Sequence, residues 1–490
     1  MELRRDEVAR VARRGGEAAE FLVLSLFDRI AEQDERIAVQ DERIEKLERR
    51  LQQNSRNSSL PPSSDRPDRD DPKQGEKKPS RQRKRSGKKQ GAQHGHKGSG
   101  RELDPNRDET VEHRPGACRT CGRELTGGER TVGKPARHQV IELSDTVVVT
   151  TEHRLLKVVC PDCQTHTRAV LPAGVEQGAF GPKLRASVVT LAAMLMSRRT
   201  TVALLRDMFG AKISVGSVDN LLKQAGELLA SPWKAIQQAA QTAEVLHADE
   251  TSWRRAGQRI WLWAALSATV CCFRIDLTRA RTAAKALLGE FDGMLISDRY
   301  SVYDFIDPEH RQVCLSHLAR TFQAFAERDG PAGRHGETIR TLIDDVIRAD
   351  THARHAGQAI FWHEGELNLL HDRLMNAVEA GERCRTPDLS RLCATILDIW
   401  PTLWNFTEHA DAEATNNRCE RAIRHAVLWR KTSLGTQSEA GDRFVERILS
   451  IRETCRLNDR SMHHYLIDVH HARLTGTDIP IPLAPDQIAA

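Results

Sequence analysis

No stretch of this chain is apolar for long enough to cross a bilayer. The longest candidate, LVLSLF at 22–27, falls far short of the roughly 20 residues a spanning helix needs. The opening MELRRDEVARVARRGGE has neither the apolar stretch nor the cleavage site of a signal peptide. Cysteine is present in an odd number, 11, and four of these form two CxxC pairs. In a reducing compartment that pattern suggests metal rather than disulfide. These absences lead us to expect a cytoplasmic protein without a membrane partner. At 490 residues the chain has room for several domains and at least one large core.

Positive charge is concentrated rather than spread. Residues 73–101 hold 11 Lys or Arg and a single acid, Glu76, which makes that segment +10 in a chain of net charge +5. Everything else is therefore slightly acidic. A basic tract of this kind suits contact with the phosphate backbone of nucleic acid, which is blind to sequence and sensitive to salt. The candidate contacts are Lys77, Lys78, Arg81, Arg83, Lys84, Arg85, Lys88 and Lys89. A solubilising linker is the alternative.

A heptad runs through 20–53. Val23, Ile30, Ile37, Ile44 and Leu51 recur every seventh residue, with Leu26, Gln33, Gln40 and Leu47 in the second seam position. Such a seam predicts a coiled coil and self-association as a homodimer or larger assembly; a lone helix packing on its own chain is the alternative. The coil stops at NSRNSSLPPSSD, where Pro61 and Pro62 forbid a continuing helix. From 54 to 105 the composition is that of a disordered basic linker.

The next segment, 106–172, carries Cys118 and Cys121 in CRTC and Cys160 and Cys163 in CPDC, with strand-like runs between them. Two CxxC knuckles at the ends of β structure suit a small β module holding a structural zinc ion, with a redox dithiol as the alternative. His166 follows, but four thiolates already complete such a site. Residues 183–229 read as three helices, the third capped by Ser214 or Ser217. This outline resembles a helix-turn-helix, and equally a plain helical scaffold.

From 244 the pattern changes. EVLHADET predicts a strand, IWLWAALSATVCCFRIDL two more, TAAKALLGEF a helix and GMLISD a further strand. Three strands, a helix and a strand form the opening of an RNase H-like fold, which offers carboxylates in the middle of its first strand and just after its fourth. Asp249 and Asp298 fall at those places. Helical spacing from about 330 to 408 predicts an insertion, and NNRCERAIRHAVLWRK then begins a helix that brings Glu420 back to the sheet. From the residues alone, Asp249 competes with Glu250, Asp298 with Asp304 and Asp307, and Glu420 with Asp411 and Glu413. Carboxylates gathered from separate elements are suited to divalent magnesium and phosphodiester chemistry. Arg421 and Arg424 share a helix face with Asn417 and are candidates for gripping DNA; a solvated charged face is the alternative. Cys314 and His317 form a Cys-x-x-His pair of undetermined role. The tail, 475–490, reads as flexible.

Taken in order, NSRNSSLPPSSD, GAQHGHKG, the paired CxxC module, HADET, SDRYSVY, CLSHLARTF and NNRCERAIR span nearly the whole chain. This ordered set resembles the insertion-sequence-66 family of DDE transposases. The resemblance implies a multidomain α/β protein: coiled coil, zinc module, helix-turn-helix-like region, and an RNase H-like catalytic core over 244–456 with a helical insertion. It implies an acidic triad of Asp249, Asp298 and Glu420 holding two magnesium ions. The implied reaction is cleavage of transposon ends, then attack of the freed 3′ hydroxyl on target DNA, with no covalent protein–DNA intermediate. The implied partners are transposon-end and target DNA, with association to the bacterial nucleoid when DNA is bound. Many members work with small accessory proteins, a partnership the resemblance leaves open. A non-catalytic DNA-binding descendant of a transposase is the rival reading.

Overall fold

The computed structural model describes residues 148–159, 161, 166–168, 170–355, 364–409 and 411–483, with isolated positions 16, 33, 36, 40, 44, 121 and 124. The basic tract, Cys118, Cys160 and Cys163 lie outside the described residues. So does the coiled-coil segment, except Gln33, Arg36, Gln40 and Ile44, which are helical. Two units divide the chain, and nearly all described residues belong to the one comprising Met1–Arg66, Thr151–Asp207 and Ala211–Ala490.

Two short strands, β1 (Lys157–Val159) and β2 (His166–Arg168), pair antiparallel with Val158 opposite Thr167. Four helices follow: α1 (Pro182–Ala193), α2 (Arg198–Phe209), α3 (Val215–Leu228) and α4 (Ala230–Gln241). Of the two candidate caps for α3, Ser214 takes the role, its hydroxyl accepting from the Ser217 N–H at 3.0 Å. Val218, Leu221, Leu222 and Ala225 form the buried stripe of α3. That stripe is turned inward, and Gly226 lets the helix approach Phe444 closely.

The centre is a five-stranded mixed sheet. Its strands are β3 (Val245–Arg255), β4 (Gln258–Leu266), β5 (Cys271–Asp276), β6 (Met294–Ser297) and β7 (Arg311–Val313), with α5 (Arg281–Leu288) between β5 and β6. The expected succession of three strands, a helix and a fourth strand is present. Spatial order is β5-β4-β3-β6-β7; β4 pairs antiparallel with both β5 and β3, while β3, β6 and β7 run parallel to one another. The β3–β4 hairpin turns at Ala256 and Gly257, both at positive φ (48° and 81°), as the twist of a two-residue hairpin demands.

Next come α6 (Leu315–Ala326), α7 (Gly330–His355), α8 (Glu364–Glu382) and α9 (Pro387–Asp398). They bury Phe322, Ile339, Ile343, Leu374, Val378 and Leu389 against one another. At Gly336 any Cβ would sit 2.7 Å from Phe325, so only glycine allows α7 to lie this close to α6. The chain then returns to the sheet through α10 (Asn417–Ser433), α11 (Glu439–Leu457) and α12 (Met462–Thr475).

The outer edge of β5 is covered by α11. Ile275 N–H donates to Glu446 Oε2 at 2.9 Å, Phe273 N–H to Ser450 Oγ at 2.8 Å and Cys271 N–H to Thr454 Oγ1 at 3.2 Å. Every second residue of a strand advances about 6.8 Å and every fourth residue of a helix about 6 Å, so the two ladders match. Trp233 Nε1 on α4 donates to the Phe273 carbonyl at 2.8 Å. An edge that would otherwise offer unpaired groups to another strand is closed.

The tail departs from the expectation in its first part. Tyr465 OH donates to the Pro480 carbonyl at 2.8 Å and Leu483 is buried, so the segment up to 483 is held against α12. Among the described residues no helix is long and apolar enough to cross a membrane.

Candidate active site

Sheet register brings the first two acids together. Parallel pairing of β3 with β6 sets Val245 opposite Met294 and His247 opposite Ile296. Carried on two residues, the same register puts Asp249 level with Asp298, just past the end of β6. Asp249 is half-buried and its Oδ1 accepts from the Glu250 N–H at 2.8 Å. Asp298 Oδ1 accepts from the Tyr300 N–H at 3.0 Å. Buried Arg311 on β7 holds the turn after Asp298, donating to the carbonyls of Asp298 (3.0 Å) and Tyr300 (3.1 Å) and to Asp304 Oδ1 (2.7 Å).

The third acid arrives on α10, which lies across β3 and β4 with Cys419, Ala422, Ile423 and Ala426 buried. Its N-cap, Asn416, is fully buried and pinned on three sides. Asn416 Nδ2 donates to the Ala248 carbonyl at 2.7 Å, Oδ1 lies 3.1 Å from His247 Nδ1, and its N–H donates to Cys314 Sγ at 3.0 Å. These bonds fix the first turn of α10 beside Asp249, and that turn carries Glu420. An acid in the first turn also suits the positive end of the helix dipole. Glu420 Oε1 lies 3.3 Å from His317 Nε2 and 3.7 Å from Arg320 Nη2.

Asp249, Asp298 and Glu420 thus line one cleft of about 1200 Å³, together with His317, Arg421 and Arg424. Burial, and then the carboxylates of Glu250, Asp298 and Glu420, push the Asp249 carboxyl well above its ordinary range. Burial lowers the His317 imidazole, against the pull of Glu420. Glu250 lies in the same cleft wall but is already satisfied. Its Oε1 accepts from Arg279 Nε at 2.8 Å and Nη2 at 2.5 Å, and its Oε2 from Tyr303 OH at 2.9 Å.

Among the described residues no three His, Cys, Asp or Glu side chains stand as a ready metal cage. The donor chemistry nevertheless fits a cation. Among those same residues Glu420 Oε1 is buried with no hydrogen-bond donor, and Asp249 accepts a backbone bond while facing other acids. A divalent ion is the group that would relieve both. Cys314, by contrast, lies buried in the floor of the cleft with its sulfur accepting from the Asn416 N–H, while His317 faces Glu420.

The model of the family described as Transposase IS66 family matches residues 177–443, just over half the chain. The chain belongs to the IS66 transposase family. The matched span contains all three acids, and the family's function implies DNA as substrate. Residues 9–102 match a family of unknown function, DUF6444, which covers the heptad segment and the basic tract. No curated protein matches the chain.

Sequence alone puts Asn416 merely near Glu420 and does not single out Arg311 or Arg279. The one available signal is Asn before a helix-like run, an N-cap type. Half of the partners of Arg311 are backbone carbonyls, which no side-chain pattern announces.

Proposed function

We propose that this IS66-family protein is a metal-dependent DDE transposase that cleaves transposon ends and transfers the freed 3′ hydroxyl into target DNA. The observation that carries this is the convergence of three acids from three separate elements on one cleft. The strand order, antiparallel on one side and parallel on the other, supports an RNase H-like core. Asp249, Asp298 and Glu420 would hold magnesium, two ions in this reading. Bound there, the metal supplies Lewis-acid activation of a water or 3′ hydroxyl and of the scissile phosphate.

The chain's own residues set the stage. Asn416 and Arg311 hold the backbone that presents Glu420 and Asp298. Arg279 and Tyr303 keep Glu250 engaged, so Asp249 is the acid of that pair left for the metal. Arg421 and Arg424, exposed on the rim, bind backbone phosphates. The same reading keeps the four CxxC thiolates as structural zinc ligands, the basic tract as a phosphate-binding arm, and the heptad segment as the device that pairs two transposon ends.

The test is cleavage of DNA carrying the element's own ends, in magnesium, by wild type and Asp298→Asn. Cleavage by wild type alone, with equal DNA binding, supports the reading. Equal cleavage by both removes Asp298 from the site. Binding without cleavage by either favours the DNA-binding descendant.

A further inference from the structure

A second concavity, of about 420 Å³, lies behind α10 from the acidic cleft, between α10 and α11. Its lining carries five arginines, Arg418, Arg421, Arg424, Arg452 and Arg456, against one carboxylate, Glu453. That carboxylate is buried and already engaged by Arg452 and by Arg456 Nε at 2.7 Å. Among the described residues Arg452 Nε is buried with no acceptor. Arg418 reaches an ion-pair partner, Glu413, at a long 3.7 Å. Leu266, His425, Leu428 and Leu457 complete the wall.

Arg421, Arg424 and Leu428 line both this pocket and the acidic cleft. Spaced three, four and seven residues apart on α10, they form the ridge between the two. Clustering cations at such spacing costs helix stability, so the excess charge calls for a polyanion. Arg452 and Arg456 also lie beyond the residues matched by the family model.

We propose that this pocket is a phosphate-binding subsite for the DNA strand whose scissile phosphate lies at the acids, the strand crossing the α10 ridge so that a neighbouring phosphodiester seats among Arg418, Arg452 and Arg456. This rests on the transposase reading above. The strand's backbone, not its bases, is the ligand, because guanidinium forks match phosphate oxygens.

The experiment is the salt dependence of end-DNA binding by the full chain. Each phosphate contact contributes about 0.7–0.9 to the slope of log K against log salt. The Arg418→Gln/Arg456→Gln variant, which removes that one contact, should lose about 0.7–0.9 from that slope. Arg418→Lys/Arg456→Lys, which keeps the charge, should retain it. Should the double variant fail to fold, Arg456→Gln alone leaves Glu453 paired with Arg452 and should lose part of that same roughly 0.7–0.9. An unchanged slope in a variant that melts like wild type would overturn the subsite. Stabilisation by inorganic phosphate without any change in the DNA slope would assign the pocket to a small phosphate and overturn the strand path. A reduced slope, with wild type unable to cleave the same DNA in magnesium, would leave the subsite standing and sink the enzyme reading instead.

Discussion

Along the edge of β5, three backbone N–H groups meet three acceptors on α11; at the mouth between β3 and β6, carboxylates meet carboxylates. Both places bury polar groups beside the same sheet. At the β5–α11 seam each of these three backbone donors has its acceptor, so that polarity serves the fold. In the cleft Asp249 is pushed toward protonation by burial and by its acidic neighbours, and Glu420 Oε1 lacks a donor among the described residues. Carboxylates crowded in this way are what a cation would relieve in the proposed reading. What sets the cleft apart is carboxylate facing carboxylate, where the seam pairs donor with acceptor.

Substitutions should therefore act in opposite ways in the two regions. The largest effect is on chemistry. Asp249→Asn, Asp298→Asn or Glu420→Gln should each lower end cleavage by about 10³-fold or more, since metal stabilisation of developing charge is worth several kcal/mol. Cleavage assays with DNA binding measured alongside would check this; a loss under tenfold would break the contrast.

His470 on α12 sharpens the comparison from outside both regions. It is buried with neither ring nitrogen bonded among the described residues, and burial, then the charges of Arg185 and Arg473, lower its pKa to about 4. The unfolded chain, near 6.5, takes up the proton first. Stability from this residue is thus complete above pH 6.5 and drains away as the pH falls to about 4, by at most roughly 3 kcal/mol. Denaturant unfolding between pH 7.5 and 4.5 should show a loss in wild type that shrinks by that contribution in His470→Leu, the remainder coming from other lowered histidines such as His247. An identical pH profile would mean that an unsatisfied buried group can be inert here.

At the seam, Ser450→Ala strands the buried Phe273 N–H and should cost about 2 kcal/mol of stability. Activity per folded molecule should not change. Reduced turnover at full folding would show that the seam is not purely structural.

Much of this was legible in the sequence. The runs EVLHADET and IWLWAALSATVCCFRIDL announce β3, β4 and β5, and the two acids at the ends of strand-like runs announce the cleft. The choice between Asp249 and Glu250 was not legible from alternation, which says only that they face apart. What separates them is Arg279 and Tyr303, 29 and 53 residues further on, which occupy Glu250. Glu446, Ser450 and Thr454 read simply as one polar face of a helix. Their purpose depends on the backbone of β5, more than 170 residues earlier, and backbone donors leave no mark in a sequence. Ser214 won over Ser217 for a similar reason, because capping depends on where the extended backbone ends.

The smallest predicted effect is also the most direct test of the central claim, that the cleft is built short of a cation. Wild type and Asp249→Asn would be melted in a calorimeter, each with and without magnesium. Without metal the variant should be the more stable by roughly 1 kcal/mol, because it removes a buried charge from among like charges. Magnesium should raise the melting temperature of wild type and leave the variant unmoved. A variant less stable than wild type without metal, or equal stabilisation of both by magnesium, would contradict the account.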